Sequence, residues 1–281
     1  MNLRRKLRYS VVEIALADTR RLLGYKMAAT PDIHLNIKGF DCATIINSIP
    51  WTQGLKVLDV GAGYSWLPTY LAKEKGCEVW SVDDFGASES DPFWTRSRDP
   101  REHIRAHPEV RYVLGRLGVD SLPDLPPAYF DCIYSASVLE HVPPSQFDQV
   151  WTHMDSLLRP GGVMLHAIDI AFPTSRGLPH VILALLFDAL YPILPPQARQ
   201  RFLFETPLSC ARASLRALGG RSRLAANSLN VVKMVVDPEI ATEPLEFTLN
   251  RLLKDGDDRI RHFRVGSLLM HLAKAPAHPT T

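Results

Sequence analysis

The stretch Val57-Leu58-Asp59-Val60-Gly61-Ala62-Gly63-Tyr64-Ser65 decides the fold of this chain. Its apolar first half predicts a buried strand, and the glycines that follow predict a turn whose backbone can lie flat against a ligand, because glycine takes positive φ and has no side chain. Residues 66–72 have a helical pattern. Strand, turn and helix thus follow one another in the order that nucleotide-type cofactors need, which indicates an enzyme.

The pattern Asp-x-Gly-x-Gly after an apolar strand resembles motif I of the class I S-adenosylmethionine-dependent methyltransferases. It is formed here by Asp59, Gly61 and Gly63, with Ala62 between the glycines. The resemblance implies that these four residues bind the methyl donor S-adenosylmethionine, which leaves as S-adenosylhomocysteine. Many members of the family have a third glycine where this chain has Ser65.

A dehydrogenase that binds NAD(P) is an alternative, because its Gly-x-Gly-x-x-Gly turn also follows a buried strand. Trp66 occupies the position of the last glycine of that fingerprint, where close packing of helix on strand needs a small residue. Asp59 also suits a cofactor with a cationic amino group and a sulfonium better than one with two phosphates. Both observations favour the methyltransferase.

A second strand is predicted for residues 77–82, and it ends at Asp83 and Asp84. Doubly wound cofactor folds place at this position the carboxylate that accepts both ribose hydroxyls. Asp83 is therefore the predicted ribose ligand and Asp84 the alternative. A solvated loop carboxylate is the other interpretation.

The third predicted strand, residues 110–114, leads to the expected adenine site. In the resembled family an acidic residue usually follows this strand, near the adenine amino group. Arg116 stands at that position, and Asp120 lies several residues further on. We therefore expect backbone groups around Leu117 to bind the adenine.

Residues 129–142 resemble motif IV of the same family, in which a strand opens with Phe-Asp and closes on small residues beside the methyl donor. Ser135 and Ala136 are the candidates for lining the methionine part of the cofactor. His141, just beyond, is a candidate general base because histidine titrates near neutral pH. Its alternative role is to cap the start of the next helix.

Asp169 follows the fifth predicted strand, residues 163–168, and is the second catalytic candidate, positioned to orient an acceptor hydroxyl or amine. The acidic and histidine residues of this region show no spacing typical of a magnesium or zinc site, so no metal is expected. The four cysteines contain no Cys-x-x-Cys pair and are expected to be reduced thiols.

The resemblance implies a three-layer Rossmann-like α/β fold with a mostly parallel seven-stranded sheet, strand order 3-2-1-4-5-7-6, and helices on both faces. We expect residues 1–50 to form an N-terminal helical cap, residues 51–170 the cofactor-binding core, 171–224 a helical substrate or lid insertion, and 225–281 the final strands. Within the cap, residues 1–24 are predicted to be an amphipathic helix. The last two strands are predicted at 231–236 and 266–273.

The composition, with a net charge of +2 and 46% hydrophobic residues, is that of a soluble cytoplasmic protein and demands no nucleic acid partner. The longest apolar run, residues 181–187, is too short to span a bilayer. No pattern indicates an oligomeric state.

The predicted function is methyl transfer to a small-molecule acceptor, with oxygen favoured over nitrogen or carbon. A non-catalytic S-adenosylmethionine-binding subunit is the alternative, motivated by Ser65 and Arg116. A methyltransferase acting on DNA bases is disfavoured, because Ser135-Ala136-Ser137 replaces the Asn/Asp-Pro-Pro-aromatic element that holds a flipped base.

Overall fold

The structure is a computed structural model that describes residues 9–16, 37–86, 99–142, 144–173, 242–244 and 263–277. These residues form one sheet with helices on both faces. The strands are β1 (Tyr9–Leu16), β2 (Lys56–Val60), β3 (Glu78–Asp83), β4 (Val110–Leu114), β5 (Phe130–Ala136), β6 (Leu158–Pro173), β7 (Thr242–Pro244) and β8 (Phe263–Lys274). The helices are α1 (Ile37–Ile46), α2 (Leu67–Lys75), α3 (Pro100–Ala106) and α4 (Pro144–Leu157), with a 3₁₀ turn at Leu139–His141.

The centre of the sheet is parallel and follows the predicted order. β2 pairs with β3 on one side and β5 on the other, β3 pairs with β4, and β5 pairs with β6, all in parallel. Val57 to Val60 in β2 are all buried, as expected for a strand that is covered on both faces. The α/β Rossmann-like fold class is confirmed. The predicted number of strands, seven, is wrong, because the described sheet has eight, with the short β7 pairing only with β8.

Two apolar clusters fill the space between the sheet and its helices. α4 contributes Trp151 and Met154 to the first cluster, which also holds Ile133 of β5. α1 and α2 contribute Ile45 and Leu71 to the second cluster, on the opposite face. Successive side chains of a strand point to opposite faces of the sheet, so β2, β3, β5 and β6 each contribute to both apolar clusters. The sheet and the helices on its two faces form three layers.

The N-terminal helix predicted for residues 1–24 is wrong over Tyr9–Leu16, which form β1. β1 runs antiparallel to β8, and β8 runs antiparallel to β6, so the sheet order is β1-β8-β6-β5-β2-β3-β4. The segment contains Val11, Val12 and Ile14, whose branched side chains suit a strand. Pairing with the open edge of β8 overrides the helical pattern, an effect that a single sequence does not show.

The outermost position of the predicted order is thus occupied by β1. The strand that we predicted for that place, residues 231–236, lies outside the described residues. Of the helical insertion predicted for 171–224, residues 174–224 also lie outside them, and the prediction is wrong for 171–173, which extend β6. The final strand is confirmed as β8. Within the predicted cap, Ile37–Ile46 are helical and form α1.

The described cysteines Cys42, Cys77 and Cys132 are buried free thiols. Burial raises the pKa of Cys77 to about 11 and that of Cys132 well above its usual value, so both stay protonated and unreactive at neutral pH. Over the described ranges, no helix combines the length and the apolar character needed to cross a bilayer.

Tyr9 offers a test of the corrected N-terminus, because its hydroxyl donates a 2.7 Å hydrogen bond to Asp155 Oδ1 on α4. We expect Tyr9→Phe to lower the free energy of unfolding by about 1 kcal/mol, the value of one such bond. Ser10→Ala, at an exposed neighbour on the same strand, is the control and should change it little. Chemical denaturation measures both, and an unchanged Tyr9→Phe protein would contradict the docking of β1.

Candidate functional site

The candidate site lies at the edge of the sheet where the parallel strands end. Parallel strands place their carboxyl ends at one edge, which is where open α/β sheets bind ligands. Gly61 follows β2, Asp83 closes β3, Ser137 follows β5 and Asp169 lies in the last part of β6. Residues that are far apart in sequence are thus brought to one crevice.

The glycine turn has the conformation predicted for it. Gly61 and Gly63 have φ values of 75° and 52°, which favour glycine. The Gly61 amide donates to the Val82 carbonyl at 2.9 Å, which ties the turn to β3. A Cβ at Gly61 would lie 2.6 Å from Val138 Cγ2, so the loop after β5 closes directly over the turn.

Ser65 and Trp66, the departures from the glycine patterns, have structural roles at the start of α2. The Ser65 hydroxyl accepts the amide of Leu67 at 3.2 Å. The Trp66 ring packs against the second core cluster and contacts Tyr70 edge-on, with 5.7 Å between centroids. These contacts account for both departures without obstructing the glycine turn.

Asp83 holds the end of β3 against the glycine turn. Its Oδ2 accepts the Gly63 amide at 2.7 Å, and its Oδ1 accepts the amide of Phe85. Burial raises the pKa of this carboxyl, and the two amide donors offset part of that rise. Each carboxylate oxygen can accept more than one hydrogen bond, so both keep capacity for a ribose hydroxyl.

Asp59 lies beneath the turn rather than at its surface. Its side chain is 2% exposed, and its Oδ2 accepts the Tyr134 hydroxyl at 2.7 Å. Burial is the main reason why the pKa of Tyr134 is raised well above its usual value, so the phenol remains a donor. This placement suits support of the turn from below.

An aromatic cluster under the two cofactor loops was missed by the sequence analysis. Tyr64 follows the glycine turn and Phe85 follows β3, and their ring centroids are 5.3 Å apart. His103 of α3 lies 5.2 Å from Tyr64 and 6.0 Å from Phe85, and its Nε2 lies 3.2 Å from the Tyr112 hydroxyl. The sequence signal that could have predicted this cluster is Tyr64, an aromatic residue immediately after the glycine motif.

The turn after β4, where we expect the adenine to bind, has a polar arrangement that the sequence spacing does not reveal. The Arg116 backbone amide donates to Asp120 Oδ2 at 2.8 Å, so the displaced carboxylate folds back to the end of β4. The Arg116 guanidinium lies 3.8 Å from Asp84 and 3.7 Å from Asp120. The Leu117 side chain is buried in the first core cluster, which leaves its backbone as the part available to a ligand.

Ser135 and His166 form a buried pair in the core. Ser135 Oγ and His166 Nδ1 are 2.8 Å apart, and both residues are 0% exposed. Desolvation lowers the pKa of His166 to about 3, so this histidine is neutral and acts in packing. The Ser135 side chain is thus occupied in the core, and its contact with the cofactor stays a prediction for its main chain. Ala136, the other candidate, is half-buried at the end of β5.

Asp169, the second catalytic candidate, is joined through Ser137 to a residue that the sequence analysis did not single out, Asp41 of α1. Ser137 Oγ lies 2.6 Å from Asp41 Oδ2 and 2.8 Å from Asp169 Oδ1. Ser137 has a φ of 51°, unusual for a residue other than glycine, and its amide donates to the Ala167 carbonyl at 2.9 Å. No sequence signal linked Asp41 to this strand end, because α1 reaches it only through the tertiary fold.

His141 lies at the end of the 3₁₀ turn and is exposed. Among the described residues, no three His, Cys, Asp or Glu side chains are grouped so as to hold a metal ion.

The comparisons with known proteins agree with this geometry. Residues 58–166 match the model of a methyltransferase domain family. No curated protein sequence matches the chain.

Three solved structures illustrate the similarity in shape. Phosphoethanolamine N-methyltransferase 2 of Haemonchus contortus, in complex with phosphomonomethylethanolamine and S-adenosylhomocysteine, is 14% identical, with a TM-score of 0.45 over 84% of this chain. An arsenic(III) S-adenosylmethionine methyltransferase of Chlamydomonas reinhardtii is 17% identical, with a TM-score of 0.40, over 82% of this chain and 67% of its own. An Aquifex aeolicus S-adenosylmethionine-dependent methyltransferase is 16% identical, with a TM-score of 0.38, over 54% of this chain and 73% of its own. This chain spans 52% of the length of the nematode enzyme.

The fold and the glycine turn define an α/β cofactor-binding domain. Together with the family match, they identify residues 58–166 as a class I, Rossmann-like S-adenosylmethionine-dependent methyltransferase domain, so that S-adenosylmethionine is its cofactor. The resemblance seen in the sequence is confirmed.

Gly61 provides a test of the close contact over the turn, with Gly54 as a matched control. Both have positive φ, but a Cβ at Gly54 would meet nothing within 4 Å. Gly54→Ala should therefore cost only the conformational strain, about 1–2 kcal/mol of unfolding free energy. Gly61→Ala should cost about 1–3 kcal/mol more, because it adds the collision with Val138. Thermal or chemical unfolding measures the difference, and equal losses would contradict the closed turn.

Proposed function

We propose that this chain is an S-adenosylmethionine-dependent methyltransferase that transfers a methyl group to an oxygen atom of a small-molecule acceptor. The observation that carries the proposal is the bond from the Gly63 amide to Asp83 Oδ2, at 2.7 Å. It joins the two elements that a nucleoside cofactor needs, a side-chain-free turn and a ribose-binding carboxylate, in one rigid unit.

We assign residues of the crevice to each part of the cofactor. Asp83 would accept the ribose hydroxyls through the remaining lone pairs of its carboxylate, and Asp84 would stay with Arg116. The backbone of Gly61, Ala62 and Gly63 would face the methionine part, and Asp59 would support that turn from below. The backbone around Leu117 would bind the adenine, with the Asp120 carboxylate close by.

When bound, S-adenosylmethionine supplies a methyl group on a positively charged sulfur, open to in-line attack by a nucleophile. Most of the acceleration can then come from holding the acceptor in line. An acceptor hydroxyl must also lose its proton, and a positioned base contributes about 10²–10⁴-fold.

We assign the role of base or orienting group to Asp169. Ser137 has one hydroxyl proton and can donate to Asp41 or to Asp169 at one time, although it lies within 2.8 Å of both. A carboxylate at this strand end can take up the proton that an acceptor hydroxyl loses. His141, exposed at the neighbouring 3₁₀ turn, is the second candidate.

A cofactor-binding subunit without turnover was motivated by Ser65 and Arg116. Ser65 stabilises the first turn of α2, and Arg116 is held between two carboxylates. Both departures have structural explanations, which favours the enzyme over the silent subunit. Incubation with radiolabelled S-adenosylmethionine and fractionated metabolites tests the choice: label in a metabolite supports the enzyme, and tight binding without any transfer supports the subunit.

Replacement of Asp83 tests the cofactor site. We expect Asp83→Ala to weaken S-adenosylhomocysteine binding about 100-fold, because two hydrogen bonds to a charged group are lost. Asp84→Ala is the matched control. Its Oδ1 accepts the Gly86 amide at 3.0 Å, so a much smaller loss is expected. Isothermal calorimetry compares the two, and the reverse ranking would make Asp84 the ribose ligand.

Replacement of the acceptor-side groups separates the two catalytic candidates. Asp169→Asn keeps the shape but cannot take up a proton, so kcat should fall about 10²-fold or more while S-adenosylhomocysteine binding stays unchanged. His141→Asn should leave kcat within a few-fold of the wild type. Steady-state kinetics on the acceptor found above decides, and a large loss in His141→Asn alone would move the base role to His141.

A further inference from the structure

We propose that His153 of α4 is a positioning residue that holds the adenine loop, residues 115–120, in its cofactor-binding conformation. No part of the His153 side chain needs to touch the cofactor for this role. The inference rests on the function proposed above, since it assigns to that loop the adenine end of S-adenosylmethionine.

The loop and the helix are in direct backbone contact at Gly118. A Cβ at Gly118 would lie 2.5 Å from the Val150 nitrogen and 2.6 Å from its Cα, so no side chain fits between the loop and α4. The residue has a φ of 79°, which also favours glycine. The position of the loop is therefore determined by the helix on which it lies.

One polar bond ties the two elements at this contact. The Gly118 amide donates to His153 Nδ1 at 3.0 Å. Leu117, immediately before, is buried in the same apolar cluster as Val150 and Trp151 of α4. The side chain of Leu117 anchors the loop, and the hydrogen bond from Gly118 to His153 sets its orientation, because apolar contacts alone are not directional.

The opposite end of the loop is tied to the ribose strand. The Gly115 amide donates to the Asp83 carbonyl at 3.0 Å. The loop is thus bonded at one end to Asp83, which we assign to the ribose, and at Gly118 to His153, which lies in the helical layer. A shift at His153 would reach the backbone around Leu117 without changing Asp83.

The bond to Gly118 needs a neutral imidazole, because an imidazolium carries a proton on Nδ1 and cannot accept. Desolvation lowers the pKa of His153 below its usual 6.5, so the acceptor is present at neutral pH. Protonation occurs only as the pH falls through that lowered pKa. Cofactor affinity should therefore be constant near neutrality and fall on the acid side of pH 6.5.

Other charged groups face the same groove. Asp120 of the loop and Asp148 of α4 line it together with His153, and Arg116 pairs with Asp120. A variant that alters only His153 retains Asp120, Asp148 and Arg116. Its pH profile therefore separates the effect of the His153 imidazole from the effects of these charged groups.

Two substitutions at His153 test the proposal by the calorimetry of S-adenosylhomocysteine from about pH 8 to about pH 5. His153→Asn keeps an acceptor oxygen at the position of Nδ1 but does not titrate in this range. His153→Leu removes the acceptor. Gln149→Ala, in the same groove of α4, is the matched control, and thermal unfolding of each unliganded protein reports any loss of fold.

We expect the wild type to lose affinity as the pH falls through the lowered pKa of His153, by up to about five- to tenfold, the worth of one backbone hydrogen bond. His153→Asn should bind S-adenosylhomocysteine as tightly as the wild type at pH 8. Its affinity should fall less than that of the wild type on the acid side, because its side chain does not titrate. His153→Leu should bind about five- to tenfold more weakly already at pH 8, and Gln149→Ala should follow the wild type throughout.

An acid-side fall in affinity of the same size in the wild type and in His153→Asn, with both proteins folded, would overturn the role of His153 and leave the proposed function intact. Wild-type affinity in His153→Leu at pH 8 would do the same. Failure of the wild type to bind S-adenosylhomocysteine at any pH would overturn the proposed function itself, and this inference with it.

Discussion

The arrangement of the crevice depends on the carboxylate of Asp83, which accepts backbone amides from both the glycine turn and its own following turn. The contact joins β2 and β3 at the point where both strands end. Because both amides come from the main chain, their geometry does not depend on flexible side chains. An ion buried this far is expensive unless it is hydrogen-bonded, so the same two bonds stabilise the carboxylate and orient it.

The loops around that contact are held by close backbone packing rather than by long side chains. Gly61 lies against Val138 of the loop after β5, and Gly118 lies against the backbone of α4. At both positions a methyl group would collide with its neighbour. The aromatic rings of Tyr64 and Phe85 are in contact and join the glycine turn to the loop after β3. A preorganised site of this kind loses little conformational entropy when a ligand binds.

The acceptor side is built differently, from side chains of three separate elements. Asp41 comes from α1, Ser137 from the loop after β5 and Asp169 from β6. Two carboxylates around one hydroxyl make this end acidic, in contrast to the amide-lined cofactor turn. Such a group suits the uptake of a proton, while the cofactor end suits the recognition of sugar hydroxyls.

Much of the cofactor site could be predicted from the sequence because its signals are local. The strand, the glycine turn and the acid at the end of the next strand are each read within a few residues, and Gly61, Gly63 and Asp83 lie where the pattern placed them. The return of Asp120 to the end of β4 could not be predicted, because it depends on the turn that Gly115 and Gly118 allow. Asp41 gave no signal at all.

By itself, the sequence determined the parallel core and its cofactor edge, since hydrophobic runs and glycine conformations act over short distances. Only the tertiary structure decided that Tyr9–Leu16 is a strand, that Ser135 turns toward His166, and that His153 meets Gly118. In each of these cases the partner is distant in the chain. A local propensity of a few tenths of a kcal/mol per residue yields to the burial and hydrogen bonding that such a partner provides.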